Sequence, residues 1–184
     1  METEEAELKN DLDGIVKEMH KGGKMRKIQW AYETPFVSVH KKGGEETSEE
    51  YLQALALCYA DMSIPGVNKQ ALILAEALNE NELATYAAEM LDKWLESGAQ
   101  AKMKWVLYFA SIHGGEIIVP KLVHQINEWP KIARGAIAAE AVKALALNGS
   151  QTALLTVDGI SRKFKFKQVK SAAGEALEYA ATEL

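Results

Sequence analysis

The sequence predicts an all-α chain: a short α-solenoid of antiparallel helix pairs behind an irregular N-terminal segment. Three observations carry that prediction. Residues 101–184 read as helix, glycine-bearing turn, helix, with an internal echo. Trp105–His113 and Gly114-Gly115 precede a helix to Trp129, and Ala138–Leu147 and Asn148-Gly149-Ser150 precede a helix to Phe164. Gly114 and Gly149 take equivalent places, and in a third copy opening at Val169, Ala176-Leu177 echoes Ala144-Leu145. Paired helices recurring at roughly 30–47 residues are the signature of helical repeats. The segments are also alanine-rich with few β-branched runs, which favours helix over strand. Finally, the connections are about two to five residues long, as antiparallel neighbours in a helical array require.

Residues 4–20 place Leu8, Leu12, Ile15, Val16 and Met19 on one helical face, with Thr3 as N-cap and Gly22-Gly23 as the stop. Residues 24–46 are the least regular. Ile28-Gln29-Trp30 and Phe36–His40 alternate like strands around Thr34-Pro35, and Pro35 drives Thr34 toward extended backbone. We expect an extended segment packed on the first helices, the competing reading being a short helix carrying Met25, Ile28 and Tyr32. Residues 1–46 thus form an N-terminal helix and capping segment, and 47–184 the helical repeats, in one compact domain. The repeats open on Thr47-Ser48-Glu49-Glu50, read as a capping box with Thr47 as N-cap and Glu50 at N3. Helices follow to Met62, over 68–79 and 81–97, and then over 99–113, 116–129, 131–148, 151–164 and 167–182. Leu83, Ala87, Met90, Leu91, Trp94 and Leu95 form one buried stripe.

Composition narrows the function classes. No run of about 18 apolar residues is present, so no transmembrane helix is expected, and the acidic start lacks the form of a signal peptide. Cys58 is the single cysteine, so no intrachain disulfide forms, and a reducing, cytoplasmic setting is expected. The net charge of −5 hides a polarity. Residues 1–100 carry 10 basic and 19 acidic groups, and residues 101–184 carry 11 basic and 7 acidic ones. The whole chain is not a general polyanion binder, but its C-terminal half is basic.

The order of features from about Trp30 onward resembles a helical module of bacterial WGR-domain or molybdate-regulator-like (MolR) proteins, a family of unknown function. The resemblance rests on a tryptophan followed by a proline-bearing extended segment and a helix pair. It continues in Lys104-Trp105 opening a helix that ends at Gly114-Gly115, the Trp129-Pro130 break, and an alanine-rich helix ending at Asn148-Gly149-Ser150. Ala153-Leu154, Ile160 and Arg162-Lys163-Phe164-Lys165-Phe166-Lys167 complete it, and it is best over 101–182. It implies HEAT/armadillo-like architecture and brings no catalytic residues.

Candidate chemistry is sparse. His20, His40, His113 and His124 show no metal-ligand spacing, so no metal site is expected. His113 is read at a helix C-terminus, where a partly protonated imidazole suits the dipole. Cys58 sits in an apolar helix without an identifiable base and is read as buried and inert. The glycine pairs match no phosphate-binding loop. Glu49-Glu50 and Asp11/Asp13 are read as carboxylates near helix starts, and Trp105 and Trp129 as packing between repeats. Asp158 and Arg162 form an i,i+4 ion pair.

One stretch carries a candidate site. Arg162, Lys163, Lys165, Lys167 and Lys170 place five cations within nine residues, interleaved with Phe164 and Phe166. Exposed, they would meet phosphate and stacked bases. With the two phenylalanines turned inward, the segment is a hinge with solvated lysines. The function expected from all this is a non-enzymatic protein-interaction scaffold without cofactor or small-molecule substrate, its partner another protein chain or a second copy, and no membrane. The alternative is a nucleic-acid-associated module acting through 162–170. A more distant one is a HEAT-like DNA-base glycosylase using Asp158, which rests on fold analogy alone.

Overall fold

The computed structural model describes residues 2–183, with side chains from Asp11 onward. Thr3 as N-cap and Leu8 on the first buried face lie outside the described side chains. All named secondary structure among the described residues is helical: α1 (Glu2–Met19), α2 (Glu49–Ala60), α3 (Lys69–Glu76), α4 (Glu80–Glu96), α5 (Trp105–His113), α6 (Ile118–Glu128), α7 (Gly135–Ala146), α8 (Gln151–Lys163) and α9 (Lys167–Glu183). None of these helices is long and apolar enough to cross a membrane. The fold is all-α.

Short polar side chains start four of the helices by accepting an otherwise orphaned backbone N–H. Asn68 accepts from Ala71 and Asn79 from Glu82, both at 3.0 Å, and Ser150 accepts from Ala153 at 3.1 Å. The cap of α2 falls one residue later than expected. Ser48 accepts from the Tyr51 N–H at 3.2 Å, while the Thr47 hydroxyl donates to the buried Val39 carbonyl at 2.8 Å. Thr47 is thereby tied to the preceding segment and is unavailable as a cap. Asp11 and Asp13 lie well inside α1 and so do not act on its N-terminal dipole. The helices expected from 99 and 131 start later, at Trp105 and Gly135. 3₁₀ turns at Ala101–Met103 and Trp129–Ile132 take up the difference, the second ending in left-handed Ala133 at φ +63°.

Gly114 and Gly149 do not take equivalent places. Gly149 lies at φ +89°, and its conformational counterpart is Gly115 at +60°, not Gly114 at −85°. Gly114 is demanded by space instead, since a Cβ there would lie 2.3 Å from the Ala110 carbonyl oxygen. The two turns meet through Asn148, whose amide donates to the Ser111 and Gly115 carbonyls at 2.8 and 3.0 Å.

Helices α2, α5 and α7 are buried on nearly every face. Around them α2 packs on α1, α3 and α5, α5 on α4 and α7, and α7 on α6, α8 and α9. One apolar core runs from Met19 to Ala180. Between α7 and α9 it is built largely of alanines, including Ala138, Ala141, Ala173 and Ala176, whose small side chains permit close approach. Trp94 meets Trp129 edge-on at 6.0 Å, and Trp105 meets Trp30 of the segment before α2 at 6.3 Å, so these indoles fill seams between elements.

The segment before α2 departs from the extended reading over its first half. Lys21–Lys27 and Gln29–Glu33 are 3₁₀ turns, and extended backbone begins only at Thr34. The competing helical reading of Met25, Ile28 and Tyr32 is nearer, with Ile28 fully buried. Backbone groups without a regular ladder need other partners, and one stripe of α4 supplies them. Glu82 accepts from the His40 N–H at 2.9 Å and Glu89 from the Val37 N–H at 3.0 Å. Tyr86 pairs with the Tyr32 hydroxyl, and Lys93 donates to the Ala31 and Thr34 carbonyls at 2.8 and 2.7 Å. Lys93 also lies 3.5 Å from the centre of the Phe36 ring.

Candidate functional site

The basic segment is positioned by the end of α8, a bend and the start of α9. The Phe164 N–H donates to the Ile160 carbonyl as α8 ends, and Phe164 itself is extended. Phe164 and Phe166 are half-buried, pack against the core and face one another at 6.2 Å. Their inward packing matches the hinge reading of the rings. Arg162 is ion-paired with Asp158 at 3.2 Å on the open surface. Lys163, Lys165, Lys167 and Lys170 are exposed and carry no ion pair among the described residues. Arg162 and Lys163 favour the negative end of α8, but Lys167 and Lys170 crowd the positive end of α9, whose first turn holds no acid.

A second site emerges where helices distant in sequence converge. A groove of about 400 Å³ crosses α5, α7 and α9 and is closed on one side by the loop at Ser63–Pro65. Inside it the Tyr108 hydroxyl donates to Glu140 at 2.5 Å, and Lys104 holds the other carboxylate oxygen at 3.5 Å. Burial, the hydrogen bond to Glu140 and its negative charge all raise the Tyr108 phenol well above its ordinary range. Tyr179, 42% exposed, faces the same groove, as do Lys143 and Glu175. Gly66 makes room for Tyr179, since a Cβ there would sit 3.0 Å from its hydroxyl. The loop and α9 are thus fitted to each other.

Sequence reasoning singled out none of these groove residues. A signal existed in the polar pairs Lys104/Tyr108, Glu140/Lys143 and Glu175/Tyr179. Each is three or four residues apart, the spacing that puts two side chains on one helical face.

His113 corrects an expectation. It is buried, its Nε2 lies 2.8 Å from the Tyr59 hydroxyl, and Phe109 packs beside it. Burial lowers its pKa to about 4, so the imidazole is neutral near pH 7 rather than a partly charged dipole partner. Cys58 is buried, and desolvation pushes its thiol up to about 12, which suits packing rather than nucleophilic chemistry. Among the described residues no group of three or more His, Cys, Asp or Glu side chains is arranged to hold a metal ion.

Comparison with known proteins adds one relative. Over 99 residues, 54% of its length, the chain is 30% identical to "Uncharacterized protein YehI" of Escherichia coli (strain K12). The chain spans about 8% of that protein's length. No family model matches the chain, and no solved structure does.

Proposed function

We propose that this chain is a HEAT-like helical-repeat module that binds a segment of another protein across the groove on α5, α7 and α9. The contacts of α2 with α5, α5 with α7 and α7 with α9 support a stack of helix pairs, with α4, α6 and α8 as the outer members. That stacking also favours kinship with the repeat module of the WGR/MolR family. The single observation that carries the functional reading is the groove. Tyr108 and Tyr179 offer large, rigid surface, and Lys104 just before α5, Glu140 and Lys143 on α7 and Glu175 on α9 offer both signs of charge. Such a surface suits the side chains and backbone of a peptide segment, whereas a small metabolite would be held more completely enclosed.

A photo-reactive residue placed at Lys143 in living cells tests this. We expect it to cross-link a defined protein, and Tyr108→Ala or Tyr179→Ala to abolish the adduct. A probe at exposed Glu96, outside the groove, serves as control. Equal labelling from both positions, or an adduct indifferent to both tyrosine variants, refutes the proposal.

The second reading is a nucleic-acid-associated module. What favours it is Lys167 and Lys170 at the start of α9, where lysine charge adds to the positive helix end and draws anions.

A further inference from the structure

We infer that copies of this chain associate head to tail, the basic end of α8–α9 in one copy docking into the groove between α1 and α3 in the next. The inference does not depend on the α5–α7–α9 groove, and the two surfaces share no residue.

The receiving groove has a volume of about 830 Å³. Its floor is apolar, with Leu12 and Ile15 from α1 and Ile73 from α3, the last 43% exposed. Its rim is acidic, with Asp11, Glu18 and Glu76, and among the described residues no lysine or arginine lines it. Glu18 does reach Lys21 at 3.1 Å, but both side chains are more than half exposed, so the pair is loosely held and easily exchanged. An apolar trough with carboxylates along its edge selects an occupant that is apolar and cationic at once.

The other end of the molecule offers that chemistry. Leu155, 63% exposed, lies seven residues before Arg162 and so on the same face of α8. Lys163, Lys165 and Lys167 follow, with the half-buried rings of Phe164 and Phe166 between them. The groove belongs to α1 and α3, which pack on α2. The basic end belongs to α8 and α9, which pack on α7, and α5 joins α2 to α7. Two different, complementary patches on one chain make a heterologous contact, which propagates instead of closing on a two-fold axis. The charge polarity along the sequence, acidic through residue 100 and basic after it, points the same way.

Sedimentation equilibrium of the 20.3 kDa chain tests this at about 20 mM and about 500 mM salt. We expect the mean mass to rise with concentration past a dimer at low salt, and association to weaken about tenfold or more at high salt. Glu18→Lys with Glu76→Lys blocks the groove, and Lys163→Gln, Lys165→Gln and Lys167→Gln together blunt the basic end. Each set alone should leave a monomer. Mixed, the two proteins retain one good groove and one good basic end between them, so they should form a 1:1 pair and stop. Recovery in the mixture also shows that both variants are folded. The inference is overturned if the unaltered chain stays monomeric at low salt or saturates as a dimer. It is equally overturned if association survives either variant set, or if the mixture fails to pair.

Discussion

At the scale of single residues the most consequential group is His113. Its folded pKa is depressed to about 4 from an ordinary 6.5, because burial disfavours the imidazolium. The unfolded chain therefore binds a proton below about pH 6.5 that the folded chain refuses until about pH 4. Stability present above that window is lost as pH falls through it, by on the order of 2–3 kcal/mol. We expect His113→Gln, which keeps a neutral partner for Tyr59, to flatten that part of the profile. Urea denaturation at pH 7 and pH 4.5 measures it, and an unchanged pH dependence in the variant would remove His113 as the cause. The burial of Trp94, Trp105 and Cys58 was legible in the sequence, since each lies in an apolar helical pattern. The neutrality of His113 was not. Periodicity assigns a side chain to a face but does not say that Tyr59, 54 residues away, occupies the space beside it.

At the scale of elements, α4 acts as a template for the irregular chain before α2. Glu82, Tyr86, Glu89 and Lys93 recur at helical spacing and bind the segment from Ala31 to His40. Lys93 is the keystone, because its ammonium satisfies two carbonyls of a turn that no regular ladder serves. Lys93→Met keeps the stem over Phe36 but removes the donor from both carbonyls, of which the Ala31 one is partly buried, and we expect it to cost about 1–2 kcal/mol. Chemical denaturation gives that number, and amide exchange should show the loss of protection concentrated in residues 28–40. A cost below about 0.5 kcal/mol would assign the segment's order to apolar packing alone. Helix positions were readable because caps and apolar spacing are local. The turns at 24–33 were misread as extended because their conformation is set by packing on α2 and α4, which lie further along the chain. The same non-local cause moved the cap from Thr47 to Ser48: Val39 claims the threonine hydroxyl.

At the scale of the whole molecule, charge is the property that separates the two functional readings. The basic end lies at 162–170 on α8 and α9, which pack on α7, while the acidic groove lies between α1 and α3, which pack on α2. A nucleic-acid module predicts binding to short DNA or RNA at about 150 mM salt, with affinity falling steeply as salt rises. It also predicts loss of that binding when Lys163, Lys165 and Lys167 are neutralised together. Fluorescence anisotropy measures both. An absence of binding even at about 20 mM salt would leave the lysines to protein contacts alone.

Helix content, the order of the elements and the packing roles of the tryptophans were determined by local sequence: by alanine-rich periodicity, by Asn and Ser caps, and by glycines at sharp turns. Local interactions act within a few residues and leave their mark there. The convergence of Tyr108, Glu140 and Tyr179 in one groove, the acidic trough between α1 and α3 and the desolvation of His113 were decided by tertiary structure. Each depends on which helices stack and in what register. That choice is made by the fit of side chains across a shared core, and no single segment contains it.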